Sequence, residues 1–206
     1  MKVLIINSSP HDNECTAYAL KVVENELNNE GIETITLNIG SMNIRGCLDC
    51  NFCKENKRCV IDDVVNKASS IFAESDGILI GTPVYYGSSN GSLISFLDRL
   101  FHSSYIGKTM KVGACVVSSR RAGSTSTIDE VYKYFQLSGM PIVSSTYFNE
   151  VHGFTKEDVM KDKEGLQTMR NLGRNMAFLI KSIALGKEKY GLPKKDRGEW
   201  THFINK

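Results

Sequence analysis

The first residues of the chain, Lys2-Val3-Leu4-Ile5-Ile6-Asn7, are followed by the polar turn Ser8-Ser9-Pro10-His11-Asp12-Asn13-Glu14. The apolar run does not alternate with polar residues, which is typical of a central parallel strand buried on both faces. The spacing of apolar residues then predicts a helix over residues 15–30, with Gly31 as its stop. A buried strand, a short turn and an amphipathic helix indicate the start of an alternating α/β fold.

The rest of the chain repeats this alternation. Strands are predicted over residues 33–38, 77–81, 111–118 and 142–148, and helices over residues 62–74, 90–101 and 124–138. Apolar residues spaced by three and four predict a last, long helix that ends at Gly186. We therefore expect one doubly wound domain over residues 1–186, an irregular tail over residues 187–206, and a ligand site at the carboxyl ends of the strands.

Composition excludes several classes of protein. The 206 residues are 41% hydrophobic and 23% charged, which is ordinary for one globular domain. The 25 basic and 23 acidic residues give a net charge of +2, and a nucleic-acid-binding protein usually has a larger basic excess. No stretch approaches the ~20 apolar residues of a membrane span, and no signal-peptide core is present. A cytoplasmic protein with no nucleic-acid or membrane partner is expected.

Three loops follow predicted strands, and each suits a different part of one ligand. The loop over residues 8–16 offers hydroxyls and a helix N-terminus to a phosphate. The loop over residues 82–87 presents two tyrosines to a planar ring, and Arg120, Arg121 and Gly123 offer a cationic edge. Taken singly, the loops are also consistent with a hydroxyl-rich helix cap, tyrosines packed at an interface and a solvated basic turn. Together they indicate FMN.

These loops also carry a family resemblance. Ser8-Ser9-Pro10 through Cys15-Thr16-Ala17 resembles the phosphate loop of the NADPH-dependent FMN reductase family, which has a flavodoxin-like fold. Thr82-Pro83-Val84-Tyr85-Tyr86-Gly87, continuing to Phe96-Leu97-Asp98-Arg99, resembles the flavin-ring segment of that family. The similarity continues through Arg120-Arg121-Ala122-Gly123 to Trp200-Thr201-His202-Phe203-Ile204.

The resemblance implies a three-layer sandwich around a five-stranded parallel sheet of order 2-1-3-4-5, non-covalent FMN, and a homodimer or homotetramer. It places one group of residues at the phosphate: Ser9, His11, Cys15, Thr16 and Ala17. It places a second group along the ribityl chain and ring: Pro83, Val84, Tyr85, Tyr86 and Gly87. The family usually has a basic residue near His11 and a lysine where this chain has Ile94, so backbone N–H groups must carry more of the phosphate charge.

Four of the six cysteines lie in one loop, residues 45–62, as Cys47-x2-Cys50-x2-Cys53-x5-Cys59. In a reducing compartment such a cluster binds metal or does redox chemistry more often than it forms disulfides. Three hypotheses remain open: a [4Fe–4S] cluster, a zinc site, and free or oxidation-sensitive thiols. The motif is similar to the iron–sulfur flavoprotein branch of the family, which implies the [4Fe–4S] cluster.

The function predicted from these features is an FMN-dependent NAD(P)H oxidoreductase of the flavin- or quinone-reductase type. The cofactor carries the chemistry, so no catalytic acid or base is assigned. The acceptor is expected to be a small molecule or, through the cysteine loop, a ferredoxin. Two alternatives are an iron–sulfur flavoprotein electron carrier reduced by ferredoxin and a redox-sensing interaction module. His152 is expected either to contact the flavin or substrate or to fix loop backbone.

Overall fold

A computed structural model describes residues 1–196, 199 and 201. Its sheet has five parallel strands in the order β2-β1-β3-β4-β5, which confirms the predicted topology. The strands are β1 (Lys2–Asn7), β2 (Glu33–Asn38), β3 (Gly77–Pro83), β4 (Val112–Ser119) and β5 (Glu150–His152). Of the C-terminal segment used for the resemblance, Trp200, His202, Phe203 and Ile204 lie outside the described residues.

Helices cover both faces of the sheet, as the three-layer sandwich requires. They are α1 (Cys15–Asn29), α2 (Phe52–Asn56), α3 (Val64–Ala73), α4 (Gly91–Ser103), α5 (Ser124–Leu137), α6 (Lys156–Lys161) and α7 (Lys163–Tyr190). Val3 and Ile5 of β1 pack in one core with α1 and α7, whereas Leu4 and Ile6 pack in the other with α3, α4 and α5. Among the residues described, no helix is both long and apolar enough to cross a membrane.

The last strand is not where the sequence predicts it. The expectation of a strand over residues 142–148 is wrong, because only Ile142 forms a single bridge, to Gly113, and the strand lies at Glu150–His152. The intervening chain bonds to α7 instead: Ser145 Oγ donates to the Thr168 carbonyl, and the Ser144 carbonyl accepts from α7. Side-chain hydrogen bonds to a helix therefore replace the sheet ladder over this segment.

The long helix also ends later than predicted. It continues through Gly186, where the backbone stays helical, and ends at Gly191, which has a φ of 73°. The chain leaves the helix at Gly191, which combines its positive φ with a ψ of 178°, a conformation that glycine adopts readily. Residues 187–190 are thus helical rather than part of an irregular tail. The short helices α2 and α6 were not predicted.

Candidate functional site

The loop between β1 and α1 is held in a defined shape by its own hydrogen bonds. Both the N–H and the Oγ of Ser8 donate to the Gly81 carbonyl of β3, at 2.9 and 3.0 Å. The Ser9 N–H donates to Asn7 Oδ1 at 3.1 Å, and Ser9 Oγ accepts from the His11 N–H at 3.2 Å. The two serines are buried and His11 is exposed. The loop is therefore preformed at the carboxyl edge of the sheet.

The helix that follows this loop has free N–H groups. Within the described part of the chain, no side chain caps α1 at its N-cap residue Glu14, and its first turn contains no acid. By contrast, Asp63 caps α3 and Asn90 caps α4. An uncapped helix N-terminus presents N–H donors and a partial positive charge. This end of α1 therefore suits an anion such as a phosphate.

The backbone after β2 packs closely beneath the same loop. A Cβ added at Gly40 would lie 2.1 Å from both the carbonyl carbon and the oxygen of Ser9. Real side chains do not approach backbone this closely, so only glycine fits at this position. The β1–α1 loop is thus contacted by the backbone that follows β2 as well as by β3.

Two residues that the sequence analysis missed connect the three loops. Ser118, at the end of β4, accepts a hydrogen bond from the Val84 N–H at 3.0 Å, and its Oγ lies 2.7 Å from Thr16 Oγ1. Asn90 Nδ2 donates to the buried Ser8 carbonyl. The sequence does mark Asn90, because it is a good N-cap residue at the start of a predicted helix. Nothing in the sequence marks Ser118, because its contacts depend on the strand register that pairs it with Pro83.

The aromatic loop after β3 is a tight turn. Tyr85 and Ser88 exchange backbone hydrogen bonds of 2.8 and 3.1 Å across Tyr86 and Gly87, whose φ angles are 53° and 79°. Positive φ at a tyrosine is uncommon and occurs where surrounding structure enforces it. The Tyr86 side chain is fully exposed and that of Tyr85 is about half exposed. The turn therefore presents an aromatic surface at the sheet edge.

The aromatic and cationic loops are in contact. A Cβ added at Gly123 would lie 2.8 Å from Gly87 Cα and 2.8 Å from Val84 Cγ1. Gly123 has a φ of 92° and precedes α5, whose N-terminus also has no side-chain cap among the described residues. Two uncapped helix N-termini, α1 and α5, thus lie at the same edge of the sheet. They flank the aromatic turn.

A buried hydroxyl in this region has no partner. Within the described residues, Ser89 Oγ is inaccessible and forms no hydrogen bond, although the Ser89 N–H donates to Glu130 at 2.9 Å. Leaving a buried polar atom unpaired costs free energy, so this hydroxyl calls for a partner that the described residues do not supply. The open N-termini of α1 and α5, with the aromatic turn between them, fit a polar cofactor such as FMN.

The remaining predicted residues differ in how close they come to the loops. Arg120 and Arg121 are exposed, and Arg120 Cζ lies 5.8 Å from the Phe154 ring, toward the segment after β5. Ala17 is partly buried on α1. Cys15 Sγ faces the Gly153 carbonyl at 3.9 Å, and burial together with nearby carboxylates raises the pKa of the Cys15 thiol. Cys15 is therefore a neutral packing residue of the loop rather than a nucleophile.

His152 supports the cationic loop from β5. Its Nδ1 lies 3.2 Å from Ser119 Oγ, which in turn accepts from Ser124 Oγ at 2.8 Å. The His152 N–H donates to Asp162 Oδ2 at 2.8 Å. These contacts favour the second hypothesis for His152, in which it fixes the backbone of the loop.

The four clustered cysteines line one pocket between their loop and α4. Cys47 and Cys50 are exposed, Cys53 is buried and Cys59 is partly buried. Three residues of the loop have positive φ, namely Asp49, Asn51 and Lys57, so the chain turns sharply between the cysteines. The sequence spacing and the fold thus bring all four thiols to one place.

Backbone and side-chain N–H groups point at two of the sulfurs. The Asp49 N–H lies 3.5 Å from Cys47 Sγ, and Arg99 Nε donates to Cys59 Sγ at 3.3 Å. Asn66 of α3 fixes the Cys59 backbone, accepting from its N–H at 3.0 Å and donating to its carbonyl at 3.1 Å. Such N–H donors suit thiolate ligands, whose negative charge they offset.

The structure does not choose between the three hypotheses for the cysteines. Over residues 1–196, 199 and 201, no three His, Cys, Asp or Glu side chains form a group that could hold a metal ion. What the structure gives is a common pocket lined by the four cysteines and N–H groups directed at two of the sulfurs.

Known proteins resemble the chain in sequence and in fold. The family described as NADPH-dependent FMN reductase matches residues 1–155. An iron-sulfur flavoprotein of Methanocaldococcus jannaschii is 33% identical over 192 residues, covering 89% of this chain and 99% of that protein. An iron-sulfur flavoprotein of Methanosarcina thermophila is 26% identical and covers 92% of this chain and 100% of its own length. An archaeal flavodoxin superposes with a TM-score of 0.61 at 15% identity, covering 88% of this chain and 99% of its own.

Proposed function

Because the chain belongs to the NADPH-dependent FMN reductase family, we propose that it binds FMN non-covalently across the three loops and uses it as an NAD(P)H oxidoreductase. The observation that carries this proposal is the pair of uncapped helix N-termini, α1 and α5, on either side of the aromatic turn. A phosphate suits the first, and the electron-rich edge of a flavin ring suits the second. The orphaned Ser89 hydroxyl lies in the connection between the turn and α4.

Bound FMN would supply hydride acceptance and electron transfer, and the protein's residues bind and orient it. Ser9 and the N–H groups of α1 would hold the phosphate, with Thr16 fixed by its hydroxyl contact to Ser118. Tyr85, Tyr86 and Gly87 would lie along the ring. The N–H groups at the start of α5 and the exposed Arg121 would stabilise negative charge at the ring edge. No side-chain acid or base is needed in this scheme.

We further propose that Cys47, Cys50, Cys53 and Cys59 hold a [4Fe–4S] cluster. Support comes from their common pocket, from the N–H groups aimed at Cys47 and Cys59, and from the names of the relatives. The small-molecule acceptor would be a flavin or quinone.

One observation favours a second candidate function. The cysteine pocket opens at the surface, since Cys47 and Cys50 are exposed. A surface redox site suits electron exchange with another protein, so the chain would act as an electron carrier reduced by a ferredoxin. In either role we propose a cytoplasmic homodimer or homotetramer, in which the exposed Tyr85 and Tyr86 are covered by a second subunit.

Steady-state kinetics distinguish the two functions. The anaerobically purified protein is supplied with NADH or NADPH and a quinone, or with reduced ferredoxin and no nicotinamide. Turnover with NAD(P)H supports the oxidoreductase, and reduction by ferredoxin alone supports the carrier. If neither supports turnover but thiol oxidation changes the oligomeric state, the redox-sensing hypothesis replaces both.

Two variant pairs test the cofactor sites. Ser9→Ala should weaken FMN binding, because Ser9 Oγ holds the loop, whereas Ser70→Ala on α3 should not. Analysis should find about four iron atoms per chain, retained in Cys115→Ala and lost in Cys53→Ala. An iron-free protein with a pure flavin spectrum would eliminate the cluster.

A further inference from the structure

Arg99 is the largest of the fully buried side chains, and it uses every N–H of its guanidinium. Nε donates to Cys59 Sγ at 3.3 Å. Nη1 donates to the Arg45 carbonyl at 3.2 Å and to Asp63 Oδ2 at 2.6 Å. Nη2 donates to the Ile61 carbonyl at 3.0 Å and to Asp63 Oδ1 at 2.9 Å. A buried arginine with five satisfied donors is held in one geometry.

The acceptors of Arg99 lie on both sides of the cysteine loop. Arg45 comes just before Cys47, whereas Cys59, Ile61 and Asp63 come at the end of the loop. A single guanidinium on α4 therefore joins the two ends of a segment that is otherwise mostly exposed. The loop also approaches α4 at its beginning, where a Cβ added at Gly46 would lie 3.9 Å from Ser95 Oγ.

The shape of the Arg99 side chain suits these partners. The planar guanidinium matches a carboxylate at two points while its Nε–H reaches a third acceptor. A lysine has the charge but not this geometry. The arrangement therefore depends on arginine rather than on a positive charge alone.

We propose that Arg99 is the positioning residue of the cysteine loop, which it closes onto α4 and whose Cys59 sulfur it orients and polarises through its Nε–H. The role of Arg99 at the sulfur rests on the proposed [4Fe–4S] cluster, whose reduction potential a hydrogen bond to a ligand sulfur would raise. Its role in closing the loop does not rest on the cluster, because those contacts are made by the protein alone.

The test compares two arginines of the same region. Arg99→Lys keeps the positive charge but removes the planar guanidinium and its paired N–H donors. Arg58→Lys is the control, because Arg58 lies in the same region and forms only an exposed 2.8 Å ion pair with Asp62. The full-length protein with FMN is purified anaerobically, and amide hydrogen exchange is followed over residues 45–62. Exchange there should accelerate by about tenfold or more in Arg99→Lys, the factor for losing one charge-assisted hydrogen bond, and stay unchanged in Arg58→Lys.

A second variant covers the case in which Arg99→Lys does not fold. Asp63→Asn removes the carboxylate charge opposite Arg99, but asparagine still caps α3. It should accelerate loop exchange while exchange in α3 stays slow. Loop exchange equal to that of the unmodified protein, in whichever variant folds, overturns the proposal.

The reduction potential of the proposed cluster tests the contact with the Cys59 sulfur separately from the structure of the loop, because losing an N–H donor to a ligand sulfur lowers that potential. Arg99→Lys that retains iron loses the N–H donor to Cys59 and should have a lower midpoint potential than Arg58→Lys. An equal potential would refute the sulfur contact. If the unmodified protein contains no iron, the cluster proposal fails, and the exchange comparison still decides whether Arg99 closes the loop.

Discussion

Asn90 offers a sharp test of how the candidate site is built, because its side chain serves two elements at once. Its Oδ1 accepts from the Leu93 N–H at 3.0 Å and so caps α4, while its Nδ2 donates to the Ser8 carbonyl of the β1–α1 loop. Both Asn90 and Ser8 are buried. Asn90→Ala removes both interactions, whereas Asn90→Ser keeps a good helix cap and removes only the contact with Ser8.

The size of each effect follows from these contacts. Loss of an asparagine N-cap costs about 1 kcal/mol. Leaving the buried Ser8 carbonyl without a donor costs about 1–3 kcal/mol more. We therefore expect Asn90→Ala to lower the free energy of unfolding by about 2–4 kcal/mol, and Asn90→Ser by about 1–3 kcal/mol. FMN binding should weaken in both, because Ser8 belongs to the β1–α1 loop that we propose to hold the phosphate.

Urea unfolding of the FMN-free protein, followed by circular dichroism, measures the first effect, and quenching of FMN fluorescence measures the second. Asn171→Ala is the control, since Asn171 makes an exposed 3.3 Å contact to Thr146 and should change stability by less than about 0.5 kcal/mol. An Asn90→Ala protein as stable as this control would show that Asn90 does not join α4 to the loop. An Asn90→Ser protein that binds FMN normally would show that the Ser8 contact is irrelevant to the cofactor.

Three further predictions concern single positions. Gly40→Ala should lower the free energy of unfolding by about 1–3 kcal/mol or more, the usual cost of overpacking, because the new Cβ would overlap the Ser9 backbone. It should also abolish FMN binding. Thermal unfolding measures the first effect and FMN titration the second. Gly186→Ala should stabilise it by about 0.5–1 kcal/mol in urea, since it lies inside α7 with open space around it. Burial raises the pKa of Cys115 in the folded state, so above pH 9 the unfolded chain loses a proton that the folded one keeps, and stability falls as pH rises. Cys115→Ala should remove up to about 1.4 kcal/mol per pH unit of that fall, measured by urea unfolding at pH 8, 9 and 10; an unchanged slope would contradict the assignment.

The sequence predicts the central strands well because burial on both faces leaves a continuous apolar run that few other structures tolerate. Residues 2–7 and 77–81 are of this kind, and both lie in strands. The edge of the sheet is less determined. Ile142 and Val143 are apolar and buried or partly buried, but the residues after them satisfy their polar groups on α7 rather than on β4. Which partner wins depends on the position of a helix that comes later in the chain.

The candidate site divides in a similar way. The three loops were predicted because topology alone brings the carboxyl ends of parallel strands to one edge. The residues that connect them, such as Ser118, act through pairings that no local pattern encodes. Arg99 shows the limit most clearly, because its contact with Cys59 joins positions 40 residues apart. The sequence analysis names Arg99 only as the end of the segment that resembles the family's flavin-ring segment, whereas its side chain lies at the cysteine loop.

Helix α4 also has a geometric consequence. At the start of α4, Asn90 contacts the β1–α1 loop, and nine residues later Arg99 holds the cysteine loop. At 1.5 Å per residue, that interval is about 13.5 Å of rigid helix. The helix thus fixes the distance between the two contacts, whatever the flexibility of either loop. One inserted residue between these positions would turn the guanidinium by about 100° around the helix axis, away from Cys59. The contact with the cysteine loop would then be lost, although no residue of either loop had been changed.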